Sequence, residues 1–151
     1  MQFDTIRAVL WEEGRLKLLD QRRLPAEEIT IDYDDPVAVA EAIRDMVVRG
    51  APAIGVTAAY GVVLAARRRY AADRENWRVA IRADFEALAS SRPTAVNLFW
   101  ALERMGQVME AITGEPVEAL LAEAKRIHEE DVAANHRMGR LGATLIAPEG
   151  R

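Results

Sequence analysis

Glu28-Ile29-Thr30-Ile31-Asp32-Tyr33-Asp34-Asp35-Pro36-Val37-Ala38-Val39-Ala40 changes its hydrophobic period halfway along. Up to Tyr33, polar and apolar residues alternate strictly, as in a strand with one buried face. From Pro36 to Val48 the apolar residues fall at 37, 39, 40, 43, 46 and 47, which is the stripe of an amphipathic helix. Asp34 or Asp35 stands where an N-cap belongs, and Pro36 suits the first helical position. The stretch therefore reads as the junction between a sheet region and a helical one.

Toward the N-terminus the strand pattern continues. Ile6-Arg7-Ala8-Val9-Leu10-Trp11 and Arg15-Leu16-Lys17-Leu18-Leu19-Asp20 flank Glu12-Glu13-Gly14, a hairpin signal. Pro25 separates the second strand from the third. A small antiparallel sheet of three strands, with one face free for packing, is expected.

Toward the C-terminus everything reads as helix. Pro52 to Ala66 is apolar almost all round, as expected of a central helix with small residues that admit close neighbours. Arg67-Arg68-Arg69 follows and reads as its solvated C-terminal turn. Asn76 to Ser90 is amphipathic and ends before Arg92-Pro93. Thr94 to Ile112 carries apolar residues at 95, 98, 102, 105, 109 and 112, and Thr113-Gly114-Glu115-Pro116 separates it from a last helix. The fold class is α+β: a three-stranded antiparallel sheet within residues 1–35, packed on a helical bundle within 36–147 of the same domain. Pro148-Glu149-Gly150-Arg151 reads as the start of a linker.

In the last helix, positions 117, 120, 124, 127, 131, 134, 138, 141 and 145 form one seam. All are apolar except Asp131. A carboxylate on an apolar seam is costly unless it is bonded. Asp131 is thus expected to be mostly buried, either paired structurally or serving a site. Asn135 lies one turn on, beside it or simply in solvent.

Composition narrows the classes of function. Half of the 151 residues are hydrophobic, 29% are charged, and the net charge is −4, so no electrostatic case for nucleic acid arises. There is no cysteine, hence no disulfide and no Cys-ligated metal. His128 and His136 are eight residues apart, too far along a helix to share a metal. Neither a Cys-ligated nor a His-paired metal site is expected. Met1-Gln2-Phe3-Asp4-Thr5 does not read as a signal peptide, and the apolar run 51–66 is shorter than the ~20 residues of a membrane span. A cytoplasmic protein with no membrane partner is expected. Glu12-Glu13, Glu27-Glu28 and Glu129-Glu130 are sequence neighbours whose side chains point apart, so they read as solvated faces rather than acid–base pairs.

Val48-Arg49-Gly50-Ala51-Pro52-Ala53-Ile54-Gly55-Val56 is the stretch richest in chemistry. Pro52 marks a helix start, where unpaired N–H groups and the helix dipole favour an anion. Gly50 lets an anion approach the backbone, and Arg49 adds a forked cationic donor. The same residues fit a plainer role, with Gly50 as the left-handed stop of the preceding helix.

Arg49 to Gly61 closely resembles a signature of the methylthioribose-1-phosphate isomerases. These belong to a wider family with ribose-1,5-bisphosphate isomerases and the regulatory subunits of the translation factor eIF2B. Ser91-Arg92-Pro93-Thr94-Ala95-Val96-Asn97-Leu98 resembles the family's second N-terminal signature, at a fitting spacing. Asp131-Val132-Ala133-Ala134-Asn135, followed by Met138-Gly139 and Gly142-Ala143, is a looser match.

The resemblance implies that Arg49, Gly50, Ala51 and Arg92 hold the substrate, chiefly its phosphate, with Arg92 also at a helix start. Asn97 would order Arg92, or cap and pack its own helix. Asp131 and Asn135 would be supporting residues. The implied reaction converts 5-methylthioribose 1-phosphate to 5-methylthioribulose 1-phosphate, an aldose–ketose isomerisation of methionine salvage, without cofactor. The family's catalytic cysteine and aspartate lie in a second, Rossmann-like domain, which would begin beyond Arg151. No catalytic residue is therefore expected within the chain, and the chain alone should be inactive. Another sugar phosphate (ribose 1,5-bisphosphate or 5-deoxyribose 1-phosphate), or a non-catalytic role like that of the eIF2B regulatory subunits, are the alternatives. A homodimer is implied for the full-length protein.

Overall fold

The computed structural model describes residues 6–146. Strands β1 (Val9–Glu12), β2 (Arg15–Leu19) and β3 (Thr30–Tyr33) form an antiparallel sheet in the order β1-β2-β3. Among the described residues six helices follow: α1 (Pro36–Arg44), α2 (Ala51–Ala72), α3 (Trp77–Ala80), α4 (Arg82–Ser91), α5 (Val96–Ala111) and α6 (Val117–Ala143). The α+β architecture expected from the change of period at Pro36 is the one observed. The linker expected from Pro148 to Arg151 lies outside the described residues, so the expectation that a second domain begins beyond Arg151 has no structural counterpart here.

The first hairpin is tight because its loop has two residues. Glu12 pairs with Arg15, and Glu13 and Gly14 between them have φ of 51° and 73°. Positive φ at both loop positions is the type I′ geometry that matches strand twist. The ladder therefore runs to Glu12, and β1 begins at Val9 rather than Ile6. Leu16 and Leu18 point into the core and are fully buried, each contributing ~2 kcal/mol.

Helix α2 is the axle of the domain. Every residue from Ile54 to Ala66 is buried, and α2 packs against β1, β2 and all five other helices. Glycine permits two of these contacts. A Cβ on Gly61 would lie 3.1 Å from Leu88 of α4 and 3.2 Å from Val39 of α1. One on Gly55 would lie 2.8 Å from the Asn97 carbonyl oxygen, so the backbones of α2 and α5 touch there. Thr57, a buried residue of this helix, donates its hydroxyl to the Ala53 carbonyl at 2.7 Å.

Several boundaries differ from the sequence reading. Asp35 caps α1, its Oδ1 accepting from the Val37 N–H at 3.1 Å. The helix stops at Arg44, not Val48. Met46 is left-handed (φ 60°), Met46 N–H donates to the Ile43 carbonyl, and Val47 N–H donates to the Ala42 carbonyl. This is a Schellman stop in which methionine takes the position usually given to glycine. Buried Val47 supplies its hydrophobic contact. The single helix expected over 76–90 is divided at Ile81, which is fully buried. Arg78 beside the break donates to the Met109 carbonyl at 2.7 Å and to that of Ile112, tying α3 to the end of α5.

Arg67-Arg68-Arg69 is not a solvated terminus. Helix α2 continues to Ala72, and each arginine is committed to another element. Arg67 donates to the Gly14 carbonyl of the hairpin at 2.6 Å. Arg68 donates to Asp35 at 2.8 Å, and Arg69 makes a forked pair with buried Asp84 at 2.7 and 3.1 Å.

Candidate functional site

The turn before α2 settles the role of Gly50. With the stop of α1 already made at Met46, Gly50 is the N-cap of α2, at φ 95° and ψ 131°. Among the described residues no side chain caps the helix. Ile54 N–H donates to the Gly50 carbonyl at 3.0 Å, while the N–H groups of Ala51 and Ala53 belong to the open first turn. Arg49, Gly50 and Ala51 are all exposed. Among the described residues the Arg49 side chain has no hydrogen bond or ion pair.

Arg92 is placed differently from the expectation. It is the C-cap of α4, with φ −144° and ψ 85°, and α5 begins four residues later at Val96. Pro93 and Thr94 form a turn closed by Ala95 N–H to the Arg92 carbonyl at 3.0 Å. Arg92 is half-buried and, among the described residues, its side chain is also without a bonded partner. Among the same residues the N-terminus of α5 has no side-chain cap either. Gly55 against Asn97 brings the first turns of α2 and α5 together, so two open helix starts meet at one end of the bundle.

A cleft of about 430 Å³ opens beside these starts. Its walls are Pro52, Gly55 and Val56 of α2, then Val96, Asn97 and Trp100 of α5. Ile127, Glu130 and Asp131 of α6 complete it. Asn97 and Asp131, expected as supporting residues, thus share one cavity, while Arg49 and Arg92 are not among its walls. The aromatic and valine walls were missed from sequence. A signal existed: Val96, Phe99 and Trp100 are large apolar residues off the core-facing stripe of α5, and all three are exposed.

Asp131 is half-buried, not mostly buried, and no basic residue pairs with it among the described residues. It accepts from the Asn135 Nδ2 at 3.2 Å, and Asn135 is exposed. The seam argument fails here because α6 is covered only as far as Ile127. Further along, Met138 and Leu141 are each 60% exposed. Neighbouring Glu130 differs from Asp131. Arg104 forks onto it and also holds Glu123, and the same guanidinium lies 5.4 Å from the centre of the Trp100 ring.

His128 belongs to another contact. Its Nδ1 lies 3.2 Å from the Tyr60 hydroxyl, and Trp11 stacks on Tyr60 with ring centres 5.2 Å apart. Burial pushes the Tyr60 hydroxyl up to about 12. Burial likewise lowers the His128 imidazole, against the raising influence of Asp131 and Glu129. Among the described residues no group of His, Cys, Asp or Glu could hold a metal ion, and no helix is long and apolar enough to cross a membrane.

Comparison with known proteins converges on one lineage. The methylthioribose-1-phosphate isomerase of Thioalkalivibrio sulfidiphilus is 61% identical over 148 residues, covering 98% of this chain and 42% of that protein. The enzyme of that name from Alkalilimnicola ehrlichii is 59% identical over 143 residues, covering 95% and 41%. The chain thus spans about two fifths of the length of the curated relatives it matches. Among solved structures, 5-methylthioribose 1-phosphate isomerase from Pyrococcus horikoshii superposes with a TM-score of 0.86 at 38% identity, over 95% of this chain and 41% of that one. The delta subunit of the translation initiation factor eIF-2B from A. fulgidus does so with a TM-score of 0.87 at 39% identity, over 96% and 43%. The Initiation factor 2 subunit family matches residues 47–150, which begin just before the Arg49 turn and take in α2, the cleft and α6. With that match over most of its length, the chain belongs to the Initiation factor 2 subunit family.

Proposed function

We propose that this chain is the substrate-phosphate-binding part of a methylthioribose-1-phosphate isomerase, which converts 5-methylthioribose 1-phosphate to 5-methylthioribulose 1-phosphate. The observation that carries the reading is the Arg49-Gly50-Ala51 turn. Among the described residues it offers a guanidinium without a bonded partner and a helix start without a side-chain cap, at a glycine whose φ of 95° bares the backbone. Open N–H groups, the α2 dipole and a forked cation together suit a phosphate dianion. Arg92 supplies the second cation from the end of α4. These groups position the substrate. They cannot move hydrogen between C1 and C2, since no acid–base group among them is suited to it. That chemistry falls to the cysteine and aspartate of the family's second domain, in the part of the protein that would follow Arg151. The anomeric phosphate blocks simple ring opening, so a site closed between two domains would protect the opened sugar from water. The full-length protein is read as a cytoplasmic homodimer acting on a small molecule, with no nucleic acid or membrane partner.

The test is ketose formation from 5-methylthioribose 1-phosphate, followed by NMR. The 151-residue chain should show none, and the protein at the full length of its relatives should turn the sugar over. Turnover by the short chain, surviving mock-purification controls, would overturn the assignment of catalysis to the second domain. The A. fulgidus likeness favours one second reading, a non-catalytic regulatory subunit. Phosphate-dependent binding without turnover in the full-length protein would select it.

A further inference from the structure

The backbone just before Arg49 is held from a distant part of the chain. The stop of α1 ends with Val47 N–H, and α2 opens with Ile54 N–H donating to the Gly50 carbonyl. Between them, one backbone contact ties the stretch to another element among the described residues: Gln21 N–H donates to the Val47 carbonyl at 2.9 Å. Gln21 belongs to the loop between β2 and β3, and the start of that loop is locked. Asp20 is 3% exposed, and its N–H donates to the Ile29 carbonyl at 2.8 Å, which closes the neck of the loop. Its carboxylate takes three hydrogen bonds from Arg22. Oδ1 accepts from the Arg22 backbone N–H at 3.1 Å and from Nε at 2.8 Å, and Oδ2 accepts from Nη2 at 2.8 Å. The Arg22 fork outweighs burial and holds the Asp20 carboxyl below its usual range, so the pair is ionised at neutral pH. The same guanidinium is within electrostatic reach of Asp45, the C-cap of α1. Residues 22–29 are all exposed, so the clamp of Arg22 on Asp20, rather than packing of the loop, sets where Gln21 stands.

We propose that Asp20 is a positioning residue for the phosphate turn. Through Arg22 and Gln21 it fixes the Val47 carbonyl, and with it the point from which Arg49 and Gly50 reach the anion. The proposal rests on the reading of the Arg49 turn as a phosphate site and deepens it. Part of that site's geometry is set by a loop that precedes residue 47, where the match to the family begins. Aim matters here because open N–H groups and a forked cation act on an anion only at hydrogen-bond distance, and a shift of ~1 Å in a supporting segment forfeits much of their effect.

The experiment uses the full-length protein and reads KM and kcat for 5-methylthioribose 1-phosphate, together with the inhibition constant of inorganic phosphate. Asp20→Asn keeps an acceptor for the Arg22 N–H and loses the charged fork, while Arg22→Lys keeps the charge and cannot fork. Each should raise KM and the phosphate constant together by about threefold or more, with kcat retained. The sign is telling for Asp20→Asn, because removing a negative charge would by its field alone tighten the binding of an anion. In an Arg49→Ala background the same changes should add less than about twofold, since the turn they aim has lost its cation. A lowered urea midpoint with KM and phosphate inhibition unmoved would make the clamp a purely structural one and overturn the proposal. Effects that multiply in full in the double variants would overturn it too, and in both cases the phosphate turn stands. If Arg49→Ala alone changes neither constant, the phosphate-site reading fails and the positioning role with it. If the full-length protein turns over no sugar phosphate, the proposed function fails. Dissociation constants of inorganic phosphate from the same variants, measured by phosphorus NMR, then decide the positioning role: weakened binding supports it, and unchanged binding overturns it.

Discussion

The two ends of α2 carry arginines with opposite fates. At the C-terminal end Arg67, Arg68 and Arg69 are each spent on a named partner: the hairpin carbonyl of Gly14, the α1 cap Asp35 and the buried Asp84 of α4. At the N-terminal end Arg49 is exposed and bonded to nothing among the described residues, and Gly50 leaves the helix uncapped. Cations at a helix C-terminus agree with the dipole. A cation beside an N-terminus opposes it, unless an anion is meant to sit between them. One end of the helix is therefore closed by partners within the fold, and the other presents a cation and an open first turn to solvent.

The sharpest test of this contrast is at the complete end. Asp84 has a side chain only 2% exposed and Arg69 is its cation. Arg69→Ala strands a buried carboxylate and should cost about 3 kcal/mol, the low end for such pairs because Arg69 itself reaches water. Chemical denaturation reads this directly. Replacing both residues, as Arg69→Met with Asp84→Leu, should recover most of the loss. A single variant with unchanged stability would erase the distinction between the two ends.

The incomplete end should behave in the reverse way. In the full-length protein Arg92→Ala, and likewise Arg49→Ala, should raise KM at least tenfold, since a charge-assisted phosphate contact contributes roughly 1.5–3 kcal/mol. The denaturation midpoint of either variant should not move, because neither side chain holds a partner among the described residues. Unfolding at lower denaturant with KM unchanged would turn these arginines into scaffolding.

How far this contrast could be read from sequence depends on range. The join at Pro36, an aspartate cap at 34 or 35 and the central burial of α2 are local patterns of period and capping, and they were legible. The Glu13-Gly14 turn was legible because the chemistry of a hairpin loop lies within the loop. The stop of α1 at Met46 was not, because a methionine adopts φ 60° there only with the Schellman bonds and the burial of Val47 behind it. The partners of Arg67 and Arg69 lie 53 and 15 residues away, beyond any periodicity. Asp131 was misread because seam spacing tells which face a residue takes, not whether anything covers that face. In the candidate site, motif residues could be named in advance. The cleft could not, since it arises where α2, α5 and α6 converge.

Gly50→Ala probes the turn itself. Nothing lies within 4 Å of where its Cβ would be, so any effect comes from the backbone alone. With φ at 95° an alanine is strained, and a loss of ~1–2 kcal/mol is expected. Relaxation of the turn should also weaken phosphate binding, seen as a raised KM with kcat retained. A variant as stable and as active as the parent would show that the open helix start does not depend on this geometry.

The smallest effect belongs to the middle of α2, where Tyr60 meets His128. With the phenol protonated at neutral pH, its O–H donates to the Nδ1 of a neutral imidazole. The folded state lowers the His128 pKa chiefly through burial, with Arg7 acting in the same direction and Asp131 and Glu129 against it. The unfolded chain therefore takes up the proton first as pH falls. Stability from this group is complete above the unfolded value near 6.5, declines as pH drops below it, and levels off once the folded imidazole is also protonated. A single proton limits the slope to ~1.4 kcal/mol per pH unit, and a half-buried ring in contact with carboxylates should show only part of that. Urea midpoints measured between about pH 7.5 and 5 should fall in the wild type and fall less in His128→Gln, which keeps a polar partner for Tyr60 without titrating. An identical pH profile in the two proteins would mean that His128 gains no proton on unfolding.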